Sequence, residues 1–473
     1  MFFGTINDWA PEGSVISWHP SEKAYEKVAR AKLNPIRVSY QQSQHLRLFR
    51  EKAAQGRDVP RLCIGAWDIV GSCDVPVMTD AINKHVQRQP TYHSWFAFDY
   101  ADEIVRRTID RPDTLEFLPI ENGVMAPAEI RDHILSTPNP LEWDCFRFGI
   151  VQSEDHFTFY AAIDHLLTDG MSAGAVFMDI HSTYTSMLAR TDVEFPDPAS
   201  YVDYCAEQRN YTDGLTMDSA EVRSWHRFAE QNGGTLPSFP LPLGDQSVID
   251  KGAITVFPLM DKQQTDRFES LCREVGARFS GGVFACVALA EHELTGSDTY
   301  FGLTPFDTRR APAEYLTVGW YASFIPMVVP TAGRSFAEAA RAAQHSFDGS
   351  RHLGGVPFYH ILDMPAPEFG SIKLSERPVP MVSYIDIRRI PLSSHWDELN
   401  AGIYSDDRST EGVCMWVNRF QNETSLAIQY PDNPIACDSI TKYAENVQSI
   451  FSQVLDCNLS DGADIDELLT RAS

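Results

Sequence analysis

The segment Asp164-His165-Leu166-Leu167-Thr168-Asp169-Gly170-Met171-Ser172-Ala173-Gly174 gathers a histidine, two aspartates, a serine and two glycines into eleven residues. It follows the β-rich run HFTFYAAI (His156 to Ile163) and precedes a stretch with helical spacing. Reactive side chains are commonly presented where a strand gives way to a helix. His165 is a candidate general base, because a neutral imidazole with a pKa near 6.5 suits proton removal from a hydroxyl at neutral pH. The plainer alternative is a satisfied histidine at a strand end. Asp169 followed by Gly170 suggests a tight turn that folds the aspartate back towards the strand, with Gly170 allowing the turn. A second chemistry competes. Gly170-Met171-Ser172-Ala173-Gly174 matches GxSxG, the nucleophile elbow of α/β-hydrolases, which makes Ser172 the candidate nucleophile of a serine esterase. An elbow serine sits directly between strand and helix. Here the strand ends near Ile163 and Ser172 falls in the first or second helical turn, so a helix-start serine among small residues is the competing account.

The elements that must hold this segment are legible in outline. FRFGIVQ (Phe146 to Gln152) and HFTFYAAI are two β-rich runs separated by Ser153-Glu154-Asp155, the pattern of a hairpin. HSWFAFDY (His93 to Tyr100) alternates like a strand, Pro127 to Ser136 reads as a helix with proline in its first turn, and Met171 to Leu188 carries apolar residues at helical spacing. NGGTLPSFPLPLGDQS (Asn232 to Ser247) is rich in Gly and Pro and continues neither a helix nor a central strand. Helices are then predicted over Ser219–Gln231, Lys262–Val275, Gly281–Leu294, Ser335–Phe347 and Ser439–Val454, and strands over Thr299–Phe306, Gly319–Pro330, Val379–Ile387 and Thr424–Tyr430. This is a mixed α/β chain with a first half at 1–191, a connection at 192–250 and a second half at 251–473.

Composition narrows the classes. The 473 residues include 39 Lys and Arg against 65 Asp and Glu, a formal charge of −26. A phosphate backbone is repelled by such a chain, so nucleic-acid binding through a broad basic face is excluded, as is binding to an anionic membrane by electrostatics alone. The N-terminus lacks a basic region followed by an apolar core, and no stretch approaches 18 apolar residues, so neither a secretory signal nor a membrane span is expected. Nine scattered cysteines without a CxxC read as reduced, buried thiols in a cytosol. The acidic run from Asp461 to Glu467 reads as a solvated tail. GxxxxGK[ST], HExxH and metal-spaced Cys/His clusters are absent from the sequence.

HLLTDG resembles the HHxxxDG signature of the chloramphenicol acetyltransferase-like superfamily, which includes condensation domains and the mycobacterial polyketide-associated (Pap) acyltransferases. SYQQSQHLRLF (Ser39 to Phe49) resembles the early SxAQxRLW motif, QRQPTYHSWF (Gln87 to Phe96) resembles RHExLRTxF, and LTGSDTYFGLTPFDTRR with VGWYASFIPMVV (Leu294 to Val329) resembles the late LTGxD … GxPxxxR … VGxFxNxxP block. DWAPEGSVISWHP, LEWDCFRFGIVQSEDHFTFYAAIDH, FPLPLGD, GARFSGGVFACVALAEHELTG and YPDNPIA are similar to the trehalose-acylating Pap branch. Two departures stand out: the first histidine of HHxxxDG is Asp164, and the plant DFGWG motif is missing.

The resemblance implies two lobes of mixed sheet and helix forming a V with a central tunnel. It also implies transfer of a long-chain acyl group from acyl-CoA or a carrier thioester to a hydroxyl of trehalose or a derivative such as trehalose sulfate, in cell-envelope glycolipid synthesis. His165 would be the base, with no covalent acyl-enzyme, cofactor or metal. Asp169 would pair with an arginine of the second lobe, by motif position Arg309, in support of the site. Ser323 and Ser383 are polar residues on predicted strands, and neither is assigned as oxyanion donor. An anionic thioester would need a local basic patch despite the net charge. The implied setting is a cytoplasmic monomer loosely associated with the inner face of the plasma membrane, with a polyketide synthase or a lipid transporter as partner. A non-catalytic binding protein of the condensation type is the remaining alternative, and the altered Asp164 is what favours it.

Overall fold

The computed structural model describes residues 2–191, 194–245, 248, 250–364, 372, 379–390 and 392–456. The acidic run from Asp461 to Glu467 and Cys457 lie outside the described residues, as do Gln246 and Ser247 at the end of the Gly/Pro-rich segment. Two compact units are formed. The first takes Met1–Gly214, Thr308–Ala322 and Arg389–Arg408; the second takes Leu215–Asp307, Ser323–Arg388 and Ser409–Ser473. The stretch 192–250 is divided between them at Gly214.

In the first unit a seven-stranded sheet has the order Phe2–Thr5, Gly402–Ser405, Leu62–Val70, His156–Asp164, Phe146–Gln152, Gly13–Pro20, Phe117–Met125. The predicted hairpin forms, with Gly149 opposite Tyr160 and Phe146 opposite Ile163. His156–Asp164 is the middle strand and is apolar along almost its whole length because both of its faces are covered. Tyr160 and Ala162 join Ile130 and Ile134 in one core cluster. On the other face the Phe159 ring lies 4.6 Å from that of Trp67 at a tilt of 33°, and Trp67 meets Phe177 of the helix Ser172–Ala189. A three-stranded antiparallel sheet (Lys32–Asn34, Ile104–Thr108, Ser94–Phe98) and the helices Tyr40–Ala54 and Val75–Arg88 also belong to this unit.

In the second unit a six-stranded mixed sheet has the order Gly252–Asp261, Glu423–Pro431, Cys414–Arg419, Met381–Asp386, Thr299–Asp307, Ala322–Pro330. Pro326 is tolerated because its strand is an edge. The helix Phe279–Thr295 is buried continuously from Gly281 to Ala290 and packs with Pro434–Asp456 and Phe336–Ser350 in one core. The predicted helices and strands of this half are found within a few residues of their expected limits, with one instructive exception. The strand expected over Gly319–Pro330 starts at Ala322, because Gly319 and Tyr321 have their main-chain groups engaged elsewhere. The eight described cysteines are unpaired; Cys145, Cys205, Cys272 and Cys286 are buried, whereas Cys437 is exposed. Among the described residues no helix is long and apolar enough to cross a membrane.

One position tests the packing of the hairpin that leads to the candidate site. A Cβ built at Gly149 would lie 2.3 Å from the buried ring of Tyr160. Gly149→Val should therefore lower stability by about 1–3 kcal/mol through overpacking, read as a lower urea midpoint, and adding Tyr160→Ala should recover part of the loss.

Candidate active site

The middle strand ends at Asp164, and His165 opens a tight turn that continues to Thr168. Sheet register decides what surrounds this end. Leu62 is paired with Asp164, so Arg61 lies beside the strand end; Ser405 is paired with Cys63, so Asp406 lies next to Leu62. The His165 N–H donates to the Arg61 carbonyl at 2.6 Å. The Arg61 guanidinium donates to Asp164 Oδ2 at 2.9 Å and to the Pro138 carbonyl at 3.0 Å. Asp164 Oδ1 accepts from the Leu166 N–H at 3.0 Å and meets His45 Nε2 at 2.7 Å. Asp164 is wholly buried, at 0% exposure. Burial alone would raise its pKa, but the charges of His45 and Arg61 and the hydrogen bonds from His45 and Leu166 more than reverse this and hold it below the usual carboxylate range.

His165 is half-buried, and its Nδ1 is buried with no hydrogen-bond partner among the described residues. Its ring lies 4.1 Å, centroid to centroid, from the indole of Trp320. The imidazole pKa is lowered first by burial and then by His45, while its own main-chain carbonyl and the carboxylates Asp169 and Asp164 pull upward more weakly. The ring is therefore neutral at physiological pH, the state a proton acceptor needs.

Asp169 is the best-satisfied acceptor in the neighbourhood. Arg309 donates to it through two nitrogens, Nη1 to Oδ2 at 3.0 Å and Nη2 to Oδ1 at 2.9 Å, the fork geometry that strengthens such pairs. The Tyr321 N–H, the Ser172 N–H and Ser172 Oγ each add a bond at 2.9 Å. Burial would raise the Asp169 pKa, and Arg309 with these donors lowers it instead. Arg309, although it comes late in the sequence, belongs to the first compact unit, where its segment is also held by Gln89.

Ser172 is not an elbow nucleophile. It is the first residue of its helix and 1% exposed, with its hydroxyl within hydrogen-bond distance of Asp169, Arg309 and both main-chain groups of Gly319. No histidine is among those partners, so among the described residues no base activates the hydroxyl, and the geometry does not support an esterase. Gly170 does not support the site in the way its place in the motif suggests. It is exposed, its φ is not in the left-handed region, and an added Cβ would meet nothing within 4 Å. Neither sterics nor backbone conformation calls for glycine there. In the second unit, Ser383 is buried on the strand Met381–Asp386 opposite Trp416, and Ser323 has a buried Oγ without a partner among the described residues. An open cleft of about 630 Å³ in the first unit brings Lys23, Lys27 and Lys84 together with Asp80 and Glu116.

His45, Arg61, Asp406 and Trp320 were not singled out by sequence reasoning. His45 and Trp320 do lie inside the quoted motif segments, but nothing local marks either as a neighbour of His165.

Comparison with known proteins agrees with this fold. The Condensation domain family model matches residues 67–368. Trehalose-2-sulfate acyltransferase PapA2 of Mycobacterium tuberculosis is 47% identical over 460 residues, covering 96% of this chain and 98% of that protein. Acyltransferase PapA3 of the same species is 42% identical over 466 residues, covering 96% of this chain and 97% of that protein. The solved structure of PapA2 acyl transferase superposes with a TM-score of 0.93 at 46% identity, over 97% of this chain and 100% of that one. The condensation domain of the Monacolin K polyketide synthase MokA shares the fold at 16% identity with a TM-score of 0.70, covering 90% of this chain and 98% of that one. The chain belongs to the condensation-domain family and, within it, to the Pap acyltransferases.

Two outcomes follow from this geometry. Arg309→Ala leaves the Asp169 carboxylate buried without its cation and should cost about 3–5 kcal/mol in chemical denaturation. A fluorophosphonate probe should leave the native protein unlabelled at Ser172, as read by intact mass and peptide mapping.

Proposed function

We propose that this protein moves a long-chain acyl group from a thioester, acyl-CoA or a carrier-bound equivalent, to a hydroxyl of trehalose or a trehalose derivative, with His165 as general base. The names of the relatives support the acceptor: one is a trehalose-2-sulfate acyltransferase, and PapA1, 44% identical over 95% of this chain and 88% of its own length, is a 2'-acyl-2-O-sulfo-trehalose (hydroxy)phthioceranyltransferase. The observation that carries the assignment of the base is the neutral, half-buried imidazole of His165 at the end of the central strand.

In this reading Nδ1 faces the protein beside the residue's own carbonyl, and Nε2 takes the proton of the sugar hydroxyl as the oxygen attacks the thioester carbonyl carbon. The tetrahedral intermediate collapses, the carbon–sulfur bond breaks, and the thiolate leaves with the proton that His165 had taken. An ester and a free thiol result, the base is regenerated, and the step balances with the two substrates alone. Asp169 and Arg309 act as supports: their ion pair fixes the turn after His165 and the loop that lays Trp320 against it.

Thiol release from palmitoyl-CoA should require a trehalose-type acceptor, with trehalose and sulfated trehalose tested in parallel. His165→Ala should lower the rate roughly 10²–10⁴-fold, the usual worth of a general base. A base with a lowered pKa is deprotonated over most of the working range. The rate should therefore stay flat through neutral pH and fall only below about pH 6.5, the ordinary imidazole value. Equal release by His165→Ala, or release that ignores the acceptor, would refute the assignment.

A further inference from the structure

The residue before the base departs from the family signature: where the signature has a histidine this chain has Asp164, and the structure places another histidine on it. His45 lies on the helix Tyr40–Ala54, well over a hundred residues earlier in sequence, and its Nε2 is 2.7 Å from Asp164 Oδ1. Asp164 is fully buried and the His45 side chain is only 9% exposed, so this hydrogen bond is formed away from water, where a lost partner is costly. The same helix reaches the site a second time one turn earlier. Gln42 Nε2 donates to the Leu166 carbonyl at 3.0 Å, on the far side of His165. Leu166 in turn donates its N–H to Asp164. The main chain on both flanks of His165 is thus fixed to one helix and to Arg61. The His45 ring makes a third contact. It stands edge-on to Trp320 at 5.7 Å and 79°, and Trp320 lies against His165 at 4.1 Å and 43°. His45 therefore touches both neighbours that border the base, the carboxylate before it and the indole over it.

We propose that His45 is a positioning residue for His165: with Asp164 it forms a buried imidazole–carboxylate pair that replaces the first histidine of the family signature and fixes the placement of the base through Asp164 and Trp320. The proposal rests on His165 being the base. Positioning is a separate role from binding, and it predicts that kcat falls while KM does not move. It also has an electrostatic side. The titratable and charged groups that act on Asp164 or His165, or that Asp164 acts on, are His45, Arg61, Cys63, Cys145 and Asp169. Among these, His45 pulls the His165 pKa down, whereas the carboxylates Asp169 and Asp164 pull it up. Replacing His45 removes that downward pull, so the His165 pKa should rise and the acid limb of the rate profile should move to higher pH.

The experiment is a steady-state comparison of the full chain with His45→Ala, His45→Gln, His165→Ala and the double variant His45→Ala/His165→Ala, at several pH values, with circular dichroism and thermal melts confirming folding. His45→Ala should lower kcat by as much as about 100-fold, the scale of a small misplacement of a reacting group, with KM for thioester and sugar within about twofold of the native values. His45→Gln can place an N–H where Nε2 stands, so it should restore most of kcat, yet show the acid limb shifted upward. In the double variant the His45 change should add no further loss, because there is no base left to position. Losses that multiply in the double variant, a KM rise at constant kcat, or equal defects in His45→Ala and His45→Gln with an unmoved acid limb would each overturn the proposal. A native rate in His165→Ala alone would overturn the assignment of the base, and the two failures are thereby told apart.

Discussion

Asp169 is a carboxylate taken out of water, and the loops around His165 are arranged to compensate it. Burial of such a charge costs several kcal/mol unless a cation and enough hydrogen bonds replace the lost solvent. Arg309 supplies the cation, and Ser172 and Tyr321 supply main-chain and hydroxyl donors. Each donor comes from a segment that must then be where the carboxylate is. The helix Ser172–Ala189 has to begin at Ser172, and residues 319–321 have to stay out of the following strand. Trp320 lies between two residues so engaged, with its own carbonyl accepting from Tyr201 at 2.7 Å, and its indole is thereby laid against His165. A buried ion pair is weak evidence for stability but strong evidence for geometry, since few arrangements satisfy it.

A second carboxylate, Asp164, flanks the base on its other side, and the contrast with Asp406 shows how local the electrostatics are. Arg61 lies near both. Its guanidinium is committed to Asp164 and to main-chain carbonyls, so Asp406 receives only the N–H groups of Arg61 and Leu62, each at 3.0 Å, while its Oδ1 remains buried without a partner among the described residues. Burial then wins, and the Asp406 pKa is pushed up to about 6, although Asp164 next door is pushed down. His165 lies among groups whose charges are already matched. Two neutralised carboxylates attract a proton less than two bare ones would, and the cost of burying an imidazolium prevails.

The hairpin, the helix after it and the histidine between them were legible because their signals are local: two β-rich runs with a polar turn, helical spacing, and a short motif. The Asp169–Arg309 pairing was legible only through resemblance, since no local pattern links residues that far apart. His45, Arg61 and Asp406 were illegible for the same physical reason. They reach the site through sheet register and helix docking, which a sequence does not display without knowing which strands are neighbours. Gly319-Trp320-Tyr321 has the composition of a strand but precedes the strand that starts at Ala322. Its aromatic residues favour strands, but Gly319 and Tyr321 have their main-chain groups claimed by Ser172 and Asp169, and tertiary contacts overrode propensity. The turn at Gly170 is made without a left-handed φ, so the Asp-Gly pair overstates the need for glycine there.

The proposed donor is an anionic thioester, whereas the chain carries a net charge of −26. Total charge governs long-range steering, but at physiological ionic strength its influence decays over about 8 Å. Within that distance a ligand responds to the side chains it meets. The cleft bounded by the helices Glu22–Ala29 and Val75–Arg88 has a local charge opposite in sign to the whole chain, with Lys23, Lys27 and Lys84 against Asp80 and Glu116. Lys27 donates to the Thr114 carbonyl at 2.6 Å, and none of Lys23, Lys27 and Lys84 has a described carboxylate within ion-pair distance, although Asp80 and Glu116 share the lining. A strongly acidic chain can therefore still carry small areas of the opposite sign, while a polyanion that must contact a broad face is repelled.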